Sequence, residues 1–242
     1  MSSAAYYDNY IKEQALSGIN DRIHGLFKRL LNRGLHPGSS VLEIGCGIGT
    51  LTYLLAGKIK RGVIEATDLS PASVAFAQKH IAQSNLVFYH GSILEVNPRA
   101  VAFDYILLFD VLEHIPADSH GILFKRIAGW MDAGSEILIN IPNPGYILYD
   151  QAHQPDQLQE LDQPLYLETL LPLFSEAGLE LLQFETYSVW AKEDYQFILL
   201  RKKKEFKEEL LAEKRTLPEK IITRLKREWR KLRFPYPPKG SC

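Results

Sequence analysis

The chain of 242 residues is 46% hydrophobic and 24% charged, which excludes a disordered polymer, and its two cysteines, Cys46 and Cys242, exclude a disulfide scaffold or a cysteine-rich zinc module. Its net charge of −1 hides a division: residues 1–200 carry 13 Lys and Arg against 23 Asp and Glu, whereas residues 201–242 carry 15 against 6. An acidic body with a basic tail directs the tail at something anionic and gives the body no nucleic-acid face.

With no leader-like apolar stretch in the first residues, no membrane-spanning apolar run, and Cys242 last rather than fourth from the end, neither a leader, a membrane span nor a prenylation signal is expected. A reduced, cytoplasmic setting is expected. Three segments are expected: an N-terminal helical cap at 1–34, a main domain at 35–201, and a basic helical tail at 202–242.

Taken in chain order, Ile19, Ile23, Leu26, Phe27, Leu30 and Leu31 fall at helical spacing, ended by Gly34 and Pro37. Val41–Ile44 reads as a strand running into Gly45-Cys46-Gly47-Ile48-Gly49. A helix over 50–59 and a strand over 62–67 follow. Ser70-Pro71 opens a helix to about Gln83, with Ser70 as its cap. Strands are predicted at 86–89, 103–109 and 136–141, with a helix at 119–131. After the strand at 136–141 the chain passes Tyr146 into a polar stretch through Asp162, which reads as an insertion before the next helix. A helix at 166–177 then leads to strands 179–186 and 196–200, an antiparallel hairpin at one sheet edge. Strands alternating with helices of this length predict an α/β fold with a doubly wound, mostly parallel, seven-stranded sheet.

The glycine turn carries the chemistry. A strand ending in glycines that open a helix lets a ligand approach backbone N–H groups. The order here is G-x-G-x-G, with Thr50 where the dinucleotide fingerprint has its third glycine. Glu43 inside the strand end would repel a pyrophosphate, which disfavours an NAD dehydrogenase. A ligand with a cationic amino group and no phosphate fits better.

VLEIGCGIGTLT resembles the first motif of the class I S-adenosylmethionine-dependent methyltransferases, and later features follow that family in order over roughly residues 35–200. The resemblance implies S-adenosylmethionine as cofactor, lying against Gly45, Cys46, Gly47 and Gly49, with Glu43 nearby. It puts Asp68 on the ribose hydroxyls, Leu69 against adenine or ribose, and Ser92 and Ile93 at the adenine. Ser92 stands where many relatives have Asp, which weakens that adenine contact. FDYILLFDVLEHI looks like the fourth-strand motif of small-molecule methyltransferases related to quinone biosynthesis, and places Phe109, Asp110 and Val111 beside the cofactor. Relatives fold an N-terminal tyrosine over the methionine end, and among Tyr6, Tyr7 and Tyr10 the choice is Tyr7; otherwise these residues only pack.

Methyl transfer from a sulfonium needs alignment and exclusion of water, and a hydroxyl acceptor also needs a base. In a doubly wound sheet the site lies at the carboxyl ends of the strands. His114 is the candidate base, against the alternative of a loop-bracing histidine. In the insertion, Tyr146 and Tyr149 are candidates for an acceptor pocket and His153 for a second base, against a plain solvated loop. Cys46 is read as a small buried residue without thiol chemistry, and no spacing of ligands suggests a metal. The expected activity is methylation of a small molecule at oxygen; the alternative is a catalytically silent, cofactor-binding partner subunit.

In the tail, a helix from Pro218 puts Ile221, Ile222, Leu225, Trp229 and Leu232 on one face among many basic residues. That pattern fits a membrane-surface element, a partner-docking helix, or a terminal helix packed on the acidic body. Nucleic acid is not expected as a partner.

Overall fold

The computed structural model describes residues 11–12, 14–155, 158–159, 161–205 and 215–234. Two compact units separate at Lys203/Lys204. The first holds α1 (Asp21–Asn32), β1 (Val41–Ile44), α2 (Thr50–Lys58), β2 (Ile64–Asp68), α3 (Pro71–His80), β3 (Leu86–His90) and β4 (Tyr105–Phe109). It continues with α4 (His120–Gly129), β5 (Glu136–Pro142), α5 (Pro144–His153), α6 (Leu167–Glu176), β6 (Leu179–Tyr187) and β7 (Tyr195–Lys202). The second unit contains α7 (Leu217–Arg233).

The sheet has seven strands in the order β3-β2-β1-β4-β5-β7-β6. β1 to β5 run parallel, and β7 pairs antiparallel with both β5 and β6. The predicted edge hairpin is therefore present. Strand alternation sends Leu42, Ile44, Ile106 and Leu108 to one face, where Phe124 of α4 and Phe174 of α6 cover them. Val41, Tyr105, Leu107 and Phe109 go to the other face, against Leu26 and Leu30 of α1 and Leu55 of α2. Both faces are covered, as a parallel sheet requires.

Most predicted elements shift by one or two residues at an end, and two regions differ by more. The helix opened by Ser70, whose side chain accepts the Ser73 N–H at 3.1 Å, ends at His80 rather than Gln83. There the chain turns extended, and the Gln83 amide donates to the Ile59 carbonyl at 2.7 Å. The insertion after β5 is not all loop: Asn143 caps the Gly145 N–H at 2.9 Å, Pro144 takes the first helical position, and α5 follows.

One buried carboxylate ties the sheet to the connection leading into β4. Glu65 accepts from Tyr89 Oη at 2.5 Å and from the Arg99 and Ala100 N–H groups at 2.8 and 2.7 Å. Glu65→Ala leaves two backbone donors without an acceptor and is expected to lower unfolding free energy by about 3–5 kcal/mol. Urea denaturation measures it, and a loss within experimental error would refute this role.

Candidate active site

The sheet order reverses between β1 and β4: the chain winds from β1 through β2 to β3, then returns to place β4 on the other side of β1. Connections leave such a switch point in opposite directions, so a crevice opens at the carboxyl ends of the two strands. A cavity of about 580 Å³ lies there, within the range of small-molecule sites.

Its floor is the turn after β1. The Gly45 and Cys46 N–H groups both donate to the Thr67 carbonyl, at 2.7 and 3.0 Å, which fastens the turn to the end of β2. Gly45 has φ +76°, and a Cβ there would meet Val111 Cγ2 at 2.2 Å, so only glycine fits. Asp68 closes the turn from the other side. Its Oδ2 accepts the Gly47 N–H at 2.7 Å and its Oδ1 accepts the Ser70 N–H at 2.9 Å. Burial raises the Asp68 carboxyl above its ordinary range, while these N–H bonds oppose the rise.

Beneath the turn, Glu43 is 5% exposed and accepts from Thr52 Oγ1 at 2.6 Å. Burial pushes its carboxyl up to about 8, with the Thr52 bond pulling down and Asp68 adding to the rise. Burial also pushes the Cys46 thiol up, so this side chain stays an inert thiol.

The opposite wall begins where β4 ends. Asp110 adopts φ +56°, a backbone strain that non-glycine residues carry mainly at functional positions. Its Oδ2 lies 2.5 Å from Arg22 Nη1 of α1, which also donates to Tyr195 Oη at 2.8 Å. The guanidinium packs over the Trp190 and Tyr195 rings, 5.2 and 5.6 Å from their centroids. Burial works against its charge, but Asp110 and Tyr195 outweigh burial and keep Arg22 protonated. Buried Asp194 fixes the Trp190 loop by accepting the N–H groups of Val189, Trp190 and Ala191 at 2.8, 2.9 and 3.0 Å.

His114 follows in a short helical turn, Leu112–His114. Its Nδ1 lies 2.7 Å from the Leu161 carbonyl oxygen and 3.2 Å from Asp162 Oδ1. A carbonyl can only accept, so the Leu161 bond puts a proton on Nδ1, and in the neutral ring Nε2 is then the acceptor atom. The nearest carboxylate to Nε2 is Glu113 Oε1, 3.9 Å away, beyond hydrogen-bond reach. Gln163 anchors the returning segment, donating to the Glu113 and Ile115 carbonyls at 3.1 and 2.7 Å. Glu113 itself is 1% exposed, and burial next to Asp110 drives its carboxyl well above the usual range, favouring the neutral form.

Of the sequence candidates, Glu43, Gly45, Cys46, Gly47, Asp68, Leu69, Ser92, Ile93, Phe109, Asp110, Val111 and His114 all line this cavity. Gly49 does not; a Cβ there would meet Ile81 Cδ1 at 2.7 Å, so it serves the packing of α2 on α3. Tyr146, Tyr149 and His153 lie on α5 and are not among the lining residues. Tyr149 and His153 instead stack on each other, 4.2 Å between ring centroids, with His153 Nδ1 bonded to the Tyr149 carbonyl at 2.9 Å. Helix formation after Pro144 takes them there. Tyr6, Tyr7 and Tyr10 lie outside the described residues.

Sequence reasoning missed Arg22, Gln159 and Leu161, which line the cavity, and Asp162 and Tyr195 behind them. Arg22 Nε and Gln159 Oε1 are buried without a hydrogen-bond partner. Orphaned polar atoms on a cavity wall point to a polar ligand. Among the described residues no cluster of side chains could hold a metal ion.

The raised Glu43 carboxyl has a pH consequence. Its folded value of about 8 exceeds the ordinary 4.5, so the neutral group is accommodated at low pH and stability falls as pH rises through that window. Glu43→Gln is therefore expected to match the wild-type melting temperature near pH 5 and exceed it near pH 9. A variant less stable than wild type at both values contradicts this.

The methyltransferase-domain family profile matches residues 41–134. The trans-aconitate 2-methyltransferase of Mycobacterium sp. (strain KMS) is 32% identical over 130 residues, covering 54% of this chain and 48% of that protein. The chain thus matches about half the length of that relative. The malonyl-[acyl-carrier protein] O-methyltransferase of Anoxybacillus flavithermus is 24% identical over 175 residues, covering 72% and 63%. Among solved structures, the magnesium protoporphyrin IX methyltransferase of Synechocystis PCC 6803 with bound S-adenosylhomocysteine superposes with a TM-score of 0.62 at 15% identity, over 83% of this chain and 100% of that one. Residues 41–134 thus match a methyltransferase domain, and the sheet that carries them has the fold of that solved methyltransferase.

Proposed function

We propose that this chain transfers the methyl group of S-adenosylmethionine to an oxygen atom of a small molecule, with His114 as general base. The observation that carries the reading is His114 itself: its Nδ1 is engaged by Leu161 and Asp162, and its ring lines the same cavity as the Gly45–Gly47 turn and Asp68. The name of the Anoxybacillus relative, an O-methyltransferase, agrees with oxygen as the acceptor atom.

The residues present fit the cofactor. Asp68 offers its remaining lone pairs to a ribose diol at the lip of the turn. Ser92 Oγ already accepts the Leu94 N–H at 3.2 Å, which leaves its hydroxyl proton for an adenine nitrogen. Asp68 and Asp110 bring carboxyl groups to the cavity, and Arg22 is paired with Asp110 alone. Such a lining suits a ligand that carries an ammonium and a sulfonium. When bound, the cofactor supplies an electrophilic methyl group with a neutral thioether as leaving group.

The chain's own contribution is to position groups and take up a proton. Asp110, held by Arg22 and by its N–H bond to the Asn140 carbonyl at 2.8 Å, fixes the wall between the cofactor and acceptor ends. His114 Nε2 would take up the proton of the acceptor hydroxyl. Asp162 stabilises the imidazolium that results. Ile115 and Leu161 exclude water beside the ring.

Three variants test this reading. Asp68→Ala should weaken S-adenosylhomocysteine binding by about ten- to a hundredfold in calorimetry, from the loss of charge-assisted hydrogen bonds. His114→Ala should lower kcat by about a hundredfold or more while leaving that affinity unchanged. Asp162→Asn should lower kcat by a smaller factor, again at constant cofactor affinity. Full turnover in His114→Ala would mean an acceptor already ionised, such as a carboxylate, and would remove the base.

A further inference from the structure

We propose that α7 is a membrane-surface helix that docks this chain on an anionic lipid leaflet. The helix completes itself. Glu219 Oε2 accepts from the Thr216 N–H at 2.8 Å and from its hydroxyl at 2.9 Å, Pro218 stands in the first turn, and Arg230, Lys231 and Arg233 occupy the last. A capping box thus closes the N-terminus, and the macrodipole is complemented at each end by charges of the helix itself.

Its side chains divide sharply around the axis. At 3.6 residues per turn, Ile221, Leu232, Leu225, Trp229 and Ile222 fall within an arc of about 100° that no charged residue interrupts. Arg233 and Lys226 border that arc on one side; on the other come Glu228, paired with Lys231, and then Arg224. Long basic stems beside an apolar arc can lay their methylenes on apolar surface and lift their charges to the headgroups. Across Leu217–Arg233, seven basic residues face two acidic ones, a net charge of +5. Both acids are spent inside the helix: Glu219 on its cap, and Glu228 on Lys231 at 2.9 Å.

A leaflet satisfies both faces at once, because the acyl boundary takes the apolar arc and lipid phosphates take the flanking cations. A nucleic-acid duplex would leave the apolar arc, with its tryptophan, without a use. No helix among the described residues is long and apolar enough to cross a membrane, so the contact is peripheral. The body, with 13 basic against 23 acidic residues, is repelled by the same surface, which confines binding to the tail. Together with the methyl-transfer reading, this brings an amphipathic or lipid-linked acceptor within reach of the enzyme, although the docking itself does not depend on that reading.

The test is sedimentation of the full chain with vesicles of phosphatidylcholine containing phosphatidylglycerol, and of phosphatidylcholine alone, at about 0.05 and 0.5 M salt. The full chain should sediment with the anionic vesicles at low salt, be released at least tenfold at high salt, and ignore the neutral ones. Each basic residue engaged contributes roughly fivefold in partitioning, so the triple variant Arg224→Glu, Arg227→Glu, Lys231→Glu should abolish sedimentation. Leu225→Ala with Trp229→Ala should weaken it about tenfold. Binding of S-adenosylhomocysteine, measured on each variant, should remain at the wild-type value; this separates loss of docking from loss of the fold or of the methyltransferase reading. A full chain left in the supernatant at low salt overturns the proposal. Equal binding to neutral vesicles, or undiminished binding by the triple variant, overturns it as well.

Discussion

The cavity depends on how the ends of β1 and β2 are tied together. Two backbone N–H groups, those of Gly45 and Cys46, converge on the single Thr67 carbonyl, and Asp68 takes the next one, from Gly47. These bonds hold the chain in a left-handed turn that any side chain at Gly45 would obstruct through Val111. Fixing Val111 in turn fixes the start of the wall after β4, including strained Asp110 and the helical turn of His114. Floor and wall are therefore one construction, and the bonds at Thr67 and Asp68 set the distance between them.

Charge is the second theme of the site. Carboxyl groups at 43, 68, 110, 113 and 162 stand in or behind the cavity, and Arg22 is the buried cation paired with one of them. Burying so many acids is costly unless some stay neutral or meet a positive ligand. Glu43 and Glu113 are driven toward the neutral form by burial. Asp68 and Asp110 keep hydrogen-bonded or paired carboxylates that face the cavity. A cationic cofactor relieves this arrangement, and an anionic nucleotide would aggravate it.

Much of the domain was legible because its signals are local. The glycine turn, the Ser70-Pro71 start and the alternation of apolar residues are all dictated within a few positions of each element, and so is the floor of the site. The wall was legible only in part. His114 stands beside a strand that sequence patterning locates, but the partners that orient it arrive from Leu161 and Asp162 after α4, β5 and α5. No spacing rule announces such a return. Arg22 is a further case: on α1 it reads as one polar residue of an amphipathic helix, and its meeting with Asp110 and Tyr195 is a product of tertiary packing. In the insertion, two tyrosines and a histidine suggested an acceptor pocket, but the Asn143-Pro144 cap starts a helix over Pro144–His153 in which Tyr149 and His153 stack on each other.

The central claim is that the cofactor occupies the crevice between the Gly45–Gly47 turn and the wall that carries His114. A crystal structure of the full chain with S-adenosylhomocysteine tests it most directly. The account predicts ribose hydroxyls on the Asp68 carboxylate, adenine beside Ser92 and Ile93, and the sulfur directed toward the side of the cavity lined by Asp110 and His114. A ligand seated elsewhere, or one whose sulfur turns away from His114, would contradict it.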